Sequence, residues 1–216
     1  MKAVQTLWLG FLALATMMAS LPASADEDLR QYVDDSTQQL VKELDANRDL
    51  YGTDPQAFYG KLETALQDFV DFRRIAARVM GRYARQASPE QRDVFVEKFK
   101  RSLFDSYAKA LVEAEDFDIT VQEATVNPNH PDRASVQLEV ETAAGNRYPV
   151  VYSMYKSDGD RWMMENVIVE GVNIGLAFRD RFAQEMEENR NNVQAVIDGW
   201  SDAVEELKLD EEVDKS

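Results

Sequence analysis

The chain has 216 residues, with 24 Lys and Arg against 40 Asp and Glu, a single histidine and no cysteine. Without cysteine there is neither a disulfide framework nor a thiolate, and one histidine cannot furnish a His/Cys metal site, so no metal and no cofactor is expected. A net charge of −16 repels nucleic acid and anionic bilayer surfaces at long range, and neither nucleic-acid binding nor stable membrane insertion is expected.

Residues 1–25 read as an export leader. Lys2 supplies a positive start, an apolar run follows from about Ala3 to Leu21, and Ala23-Ser24-Ala25 fits the small-x-small cleavage rule. Cleavage there would start the mature chain at Asp26 with a net charge of −17. No later segment is apolar and long enough to span a bilayer. Residues 26–207 are then expected to form one domain, large enough to bury an ordinary core, and 208–216 an acidic, disordered tail.

The first half of that domain has the helical period. Leu29, Tyr32, Val33, Leu40, Val41 and Leu44 form one stripe. Asp54-Pro55 is a helix start, ahead of Phe58, Leu62, Leu66, Phe69 and Val70. Phe72, Ile75, Val79 and Tyr83 follow at helical spacing, with Gly81 loosening the end. Ser88-Pro89-Glu90-Gln91 is a capping box, opening a helix with Phe95, Phe99, Leu103 and Tyr107 four apart.

Around Phe117 the period drops to 2. "FDITVQEATV", "ASVQLEVET", "RYPVVYSMYKS" and "RWMMENVIVE" read as four strands, broken by "NPNHPDR", Ala144-Gly145-Asn146 and Asp158-Gly159-Asp160. His130 falls in the first of these breaks and is read as a solvated loop residue. Tyr148, Val150, Tyr152 and Met154 take one face of the third strand, while Val151 and Tyr155 take the other, so both sides are expected to be covered. After Gly171 the helical period returns with Ile174, Phe178, Phe182 and Met186, then with Val193, Val196, Ile197, Trp200 and Val204. The fold class is α+β: a four-stranded antiparallel twisted sheet covered by about six helices.

Catalytic chemistry has little to stand on. A Ser-His arrangement would need the one loop histidine, and there is no phosphate loop or dinucleotide fingerprint. Glu165 and Glu170 are the only acids on the last apolar strand, and an ion pair or cap suits them better than a base. The protein is not expected to be an enzyme. One basic stretch interrupts the acidity: Arg73 to Arg101 carries nine basic residues and three acidic ones, with Arg74, Arg78 and Arg82 at i, i+4 and i+8. It reads as a solvated face or as a docking patch for acidic partners or lipid phosphates.

"FRRIAARVMGRYARQASPEQRDVFVEKFKRSL", followed by a strand ending W-x-x-x-N-V-x-x-E-G-V-N at Trp162–Asn173, resembles the MlaC family of periplasmic phospholipid-binding proteins, also described as toluene-tolerance auxiliary proteins. The resemblance spans about Leu29 to Leu207. The family pattern commonly has Asp and Ser where this chain has Asn166 and Asn173, which keeps hydrogen-bonding groups but removes one carboxylate. The resemblance implies an NTF2-like fold with acyl chains held in a hydrophobic cavity between sheet and helices. It implies a periplasmic carrier that shuttles diacyl phospholipid between an outer-membrane lipoprotein–porin complex and an inner-membrane ABC transporter complex, helping to maintain outer-membrane lipid asymmetry. An enzyme of NTF2-like type, or a binding protein for another hydrophobic molecule such as a hopanoid, stays open as the alternative.

The energetics of such cargo are demanding. A methylene left in water costs about 0.8 kcal/mol, so two acyl chains cost roughly 20 kcal/mol or more. Shielding them takes a cavity on the order of 1,000 Å³, the large end of ordinary ligand sites. The residues expected to line it are Val79, Phe95, Phe99, Leu103, Val150, Tyr152, Met154, Val167, Val169, Val172, Ile174 and Phe178, with Arg74, Arg78 and Arg82 as the docking face.

Overall fold

A computed structural model describes residues 22–113 and 117–214. Most of the expected leader (1–21) and the last two residues of the acidic tail lie outside the described residues. Helices α1 (Pro22–Asn47), α2 (Leu50–Thr53), α3 (Pro55–Leu66), α4 (Phe72–Met80) and α5 (Pro89–Glu113) come first, with a turn of 3₁₀ helix at Gly81–Arg85 between α4 and α5. Strands β1 (Phe117–Asn127), β2 (His130–Thr142), β3 (Arg147–Lys156), β4 (Trp162–Val169) and β5 (Val172–Asn173) follow, then α6 (Ile174–Glu188) and α7 (Val193–Asp214).

Helix starts follow local chemistry. The Asp54 carboxylate accepts from Ala57 N at 3.1 Å, ahead of Pro55, and Asp71 caps α4 by accepting from Arg74 N at 2.9 Å. The capping box closes reciprocally: Gln91 N donates to Ser88 Oγ at 3.1 Å, and Ser88 N to Gln91 Oε1 at 2.9 Å. Gly81, at φ 53°, ends α4 in a backbone region that side-chain-bearing residues avoid. At the other end of the chain α7 is helical through Asp214, over most of the segment expected to be a disordered tail.

The sheet is an antiparallel meander ordered β1-β2-β3-β4-β5. It has five strands rather than four, because Val172 and Asn173 fold back on Ile168 and Val169. His130 begins β2, paired with Asn127, instead of lying in a loop; it remains exposed. Both sheet edges are covered. Beyond β4, Val70 forms a parallel bridge to Met164, with Asp71 N donating to Met164 O at 3.1 Å and Met164 N to Phe69 O at 2.7 Å. Along β1 runs α1, whose side chains reach the strand's unpaired groups. Asp26 accepts from Val126 N at 2.8 Å, Gln38 donates to Ile119 O at 3.2 Å, and Arg30 donates to Val121 O at 3.5 Å.

A single domain usually has one contiguous core. Here the buried apolar side chains of the described residues form three clusters. The first is purely helical, built by α4–α7 around Trp200, Phe95, Phe99, Phe178 and Phe182. The second lies between the sheet and the segments carrying Leu29, Val33, Phe69 and Val70. The third joins Leu44, Phe58, Tyr59, Leu62 and Phe104. Between them stand half-buried residues: Ile75 packs on the first and second clusters, Leu66 and Phe72 on the second and third.

Candidate functional site

The strand-to-helix corner is built by four residues. Glu170 (φ 51°) and Gly171 (φ 84°) make the two-residue turn from β4 to β5, the two positive φ values that match the twist of a tight hairpin. Asn173 then caps α6 by accepting from Leu176 N at 2.9 Å, and Asn166, back on β4, accepts from Gly175 N at 3.1 Å. Two acceptors therefore meet the positive end of one helix. This is what the departures from the family pattern do: the amide oxygens keep the capping role, and no carboxylate chemistry is needed at either position. A Cβ on Gly175 would sit far inside van der Waals contact with Asn166 Oδ1, so glycine is required for the helix to approach the strand. The corner leaves Val172 and Leu176 exposed, at 51% and 41%.

Across the inner face of the sheet, the registers align rows of apolar residues. Val121, Leu138, Val150 and Val169 form one row; Ala124, Val136, Tyr152 and Val167 the next; Val126, Ala134, Met154 and Met164 a third. The rows are tightly buried towards β2, where Val136 and Leu138 are 0% and 2% exposed. Towards β4 they loosen: Tyr152, Met164, Val167 and Val169 are only half-buried. Tyr152 is the informative one. Protein surrounds it closely enough for burial alone to push its phenol up to about 12, yet it retains accessible surface. It stands next to Phe69, whose ring meets Tyr152 edge-on at 6.0 Å.

The residues expected to line a cavity divide into three groups. Tyr152, Val167 and Val169 stand half-buried on the sheet side, and Leu103 and Ile174 half-buried at the margin of the helical cluster. Val79, Phe95, Phe99, Phe178 and Met154 are at most 2% exposed and Val150 is 8% exposed; as packed, they support walls rather than offer surface. Val172 lies outside, at the corner. Leu66, Phe72 and Ile75 also stand half-buried between clusters; nothing in a helical stripe marks which member takes such a place.

On the opposite face of β3 and β4 is a polar cluster. Glu165, 5% exposed, accepts from Arg74 Nε and pairs with Arg78 at 2.9 Å. The Arg74 guanidinium lies 3.9 Å from the centre of the Tyr155 ring, and the Tyr155 hydroxyl donates to Asp71. Burial first, and then this bond, push the Tyr155 phenol up to about 12. Glu165 is thus an anchor for α4 rather than a base. Two of the three arginines expected to dock partners are engaged here, while Arg82 donates to the Tyr83 hydroxyl at 2.6 Å and is otherwise exposed.

Two pockets stand out, neither between sheet and helices. One, of about 290 Å³, is a groove between α4 and α5 with Ala76, Ala77, Met80, Pro89 and Val96 in it and Arg73, Arg92 and Asp93 beside them. The other, of about 360 Å³, lies at the β1–β2 turn. Both are at the small end of ligand sites and well under the 1,000 Å³ expected. Among the described residues no group of His, Cys, Asp and Glu is arranged to hold a metal, and no helix is long and apolar enough to cross a membrane.

The sequence model of the MlaC protein family matches residues 34–202, most of the chain. This chain belongs to the MlaC family. A curated relative, the toluene tolerance protein ttg2D of Pseudomonas putida, is 38% identical over 198 residues, covering 90% of this chain and 91% of its own. Among solved structures, a phospholipid-binding protein of Ralstonia solanacearum in complex with a phospholipid superposes with a TM-score of 0.73 at 20% identity, covering 83% of this chain and 98% of its own. At that identity the match establishes the fold: the helix-on-sheet arrangement is shared with that solved protein.

Proposed function

We propose that the protein is a phospholipid carrier of the periplasm, released there by removal of residues 1–25, without catalytic activity of its own. The observation that carries the reading is the loosened inner face of β3 and β4: apolar rows whose deep member, Tyr152, keeps accessible surface among clusters that do not merge. The solved neighbour with a phospholipid bound and the family membership support it. The walls must part further to take two acyl chains, and Leu66, Phe72, Ile75 and Leu103 are the half-buried side chains placed to move. The headgroup stays in water near the exposed Val172–Leu176 corner. In this reading the carrier shuttles lipid between an outer-membrane lipoprotein–porin complex and an inner-membrane ABC transporter complex, docking through the basic α4 side.

Native mass spectrometry of the purified protein tests the carrier reading. A species heavier by the mass of a diacyl phospholipid is expected, at about one lipid per chain. A spectrum holding only the bare polypeptide, after gentle purification from lipid-containing cells, would overturn it; a co-purifying non-phospholipid mass such as a hopanoid would replace the cargo.

A further inference from the structure

The Tyr152 hydroxyl has no hydrogen-bond partner among the described residues, while on the other face of β3 and β4 Glu165 is met by two arginines and Tyr155 by Asp71. It is also the one polar side chain in its cross-strand row, flanked by Val136 and Val167. The hydroxyl is not among the fully enclosed unpaired side-chain atoms, so part of the surface that Tyr152 keeps is the hydroxyl's own, and a strand position that wants only apolar surface would be met by Phe. Its phenol stays neutral at physiological pH, and no lysine or arginine stands in the three inner-face rows. A neutral donor without a cation suits a neutral acceptor, not a phosphate or a free carboxylate.

We infer that Tyr152 is a specificity-determining residue that donates its hydroxyl hydrogen to an ester carbonyl of the bound lipid. The inference rests on the carrier reading and adds to it a preference for how the tails are joined to glycerol. In a lipid whose chains are shielded from water, the methylenes accept nothing and the headgroup is outside. The ester carbonyls, one or two atoms into each chain, are then the acceptors nearest the apolar wall. An ether-linked lipid of the same length fills the same volume but lacks those oxygens, and so leaves the phenol unmet.

The test loads the delipidated full-length mature protein from vesicles containing equal amounts of ester-linked diacyl phosphatidylglycerol and its diether analogue of matched chain length, read by native mass spectrometry. The parent protein is expected to carry the ester lipid in roughly five-fold excess, the worth of one ordinary hydrogen bond. Tyr152→Phe, which keeps the ring against Phe69, is expected to load the two lipids at a ratio near one. Equal loading of the two lipids by the parent, or an unchanged preference in Tyr152→Phe, would overturn the assignment while leaving the carrier reading standing. Loading of neither lipid by the parent would overturn both. Circular dichroism of the variant separates a lost preference from a lost fold.

Discussion

At the scale of single residues, the corner between β4 and α6 shows how much depends on one missing side chain. Gly175 lets the first turn of α6 come close enough for its N–H to reach Asn166. Gly175→Ala would force the amide aside and leave the N–H unmet, a loss of about 1–3 kcal/mol, read as a lower urea midpoint. In an Asn166→Ala background the same change should be close to neutral or slightly stabilising, because the clash is gone and Ala favours helix over Gly. Equal costs in both backgrounds would show that the two residues do not act together. Gly175 could not have been singled out from the sequence, since its constraint comes from a residue nine positions earlier on a neighbouring strand. The caps of α3 and α5 were legible, because Asp54-Pro55 and the Ser88–Gln91 box act within one turn.

At the scale of elements, α4 is fastened to the outer face of the sheet by charge. Arg74 and Arg78 hold the buried Glu165 while Phe72 and Ile75 on the same helix turn toward the apolar interior. Reversing Arg74 or Arg78 would set two negative charges against each other at a buried position, so a transfer defect in such variants would report on α4 itself. Arg82, past the end of α4, is the discriminating position. Arg82→Glu is expected to slow lipid handover to isolated partner complexes several-fold with the amount of bound lipid unchanged; an unchanged handover rate would remove Arg82 from the docking surface. The sequence exposed the i, i+4, i+8 spacing of Arg74, Arg78 and Arg82 but not the partner of the first two, as Glu165 comes from a strand more than eighty residues away. Strand alternation was legible throughout the meander, because the inner rows are apolar from β1 to β4. The two-residue β5 was not: Val172 and Asn173 are too short to show a period, and only the positive φ values of Glu170 and Gly171 turn them back onto β4.

At the scale of the whole molecule, three tyrosines set a limit on alkaline tolerance. Burial is the first cause that pushes Tyr59, Tyr152 and Tyr155 up to about 12, with nearby Asp105 and Asp71 adding to it for Tyr59 and Tyr155. In the unfolded chain each phenol ionises near 10, so the fold keeps their protons longer than the unfolded chain does. Their contribution is complete below pH 10 and is lost as pH rises from 10 through 12. The urea midpoint should fall steeply in that window, with part of the tyrosinate absorbance appearing only on unfolding; a flat midpoint to pH 12 would contradict the burial of these phenols. The division of the interior into three clusters was the least legible property of all, since periodicity marks which side of an element is greasy and not whether two greasy sides touch.

Helix α1 lies against β1 with Asp26, Arg30 and Gln38 occupying the strand's open side. A bare flank of that kind recruits further strands from other chains and seeds polymer growth. Under the proposed removal of residues 1–25, Asp26 would be the first residue of the mature chain, and the guard would begin at the newly made terminus. In that reading one cut would both release the chain and place the guard of its open sheet edge.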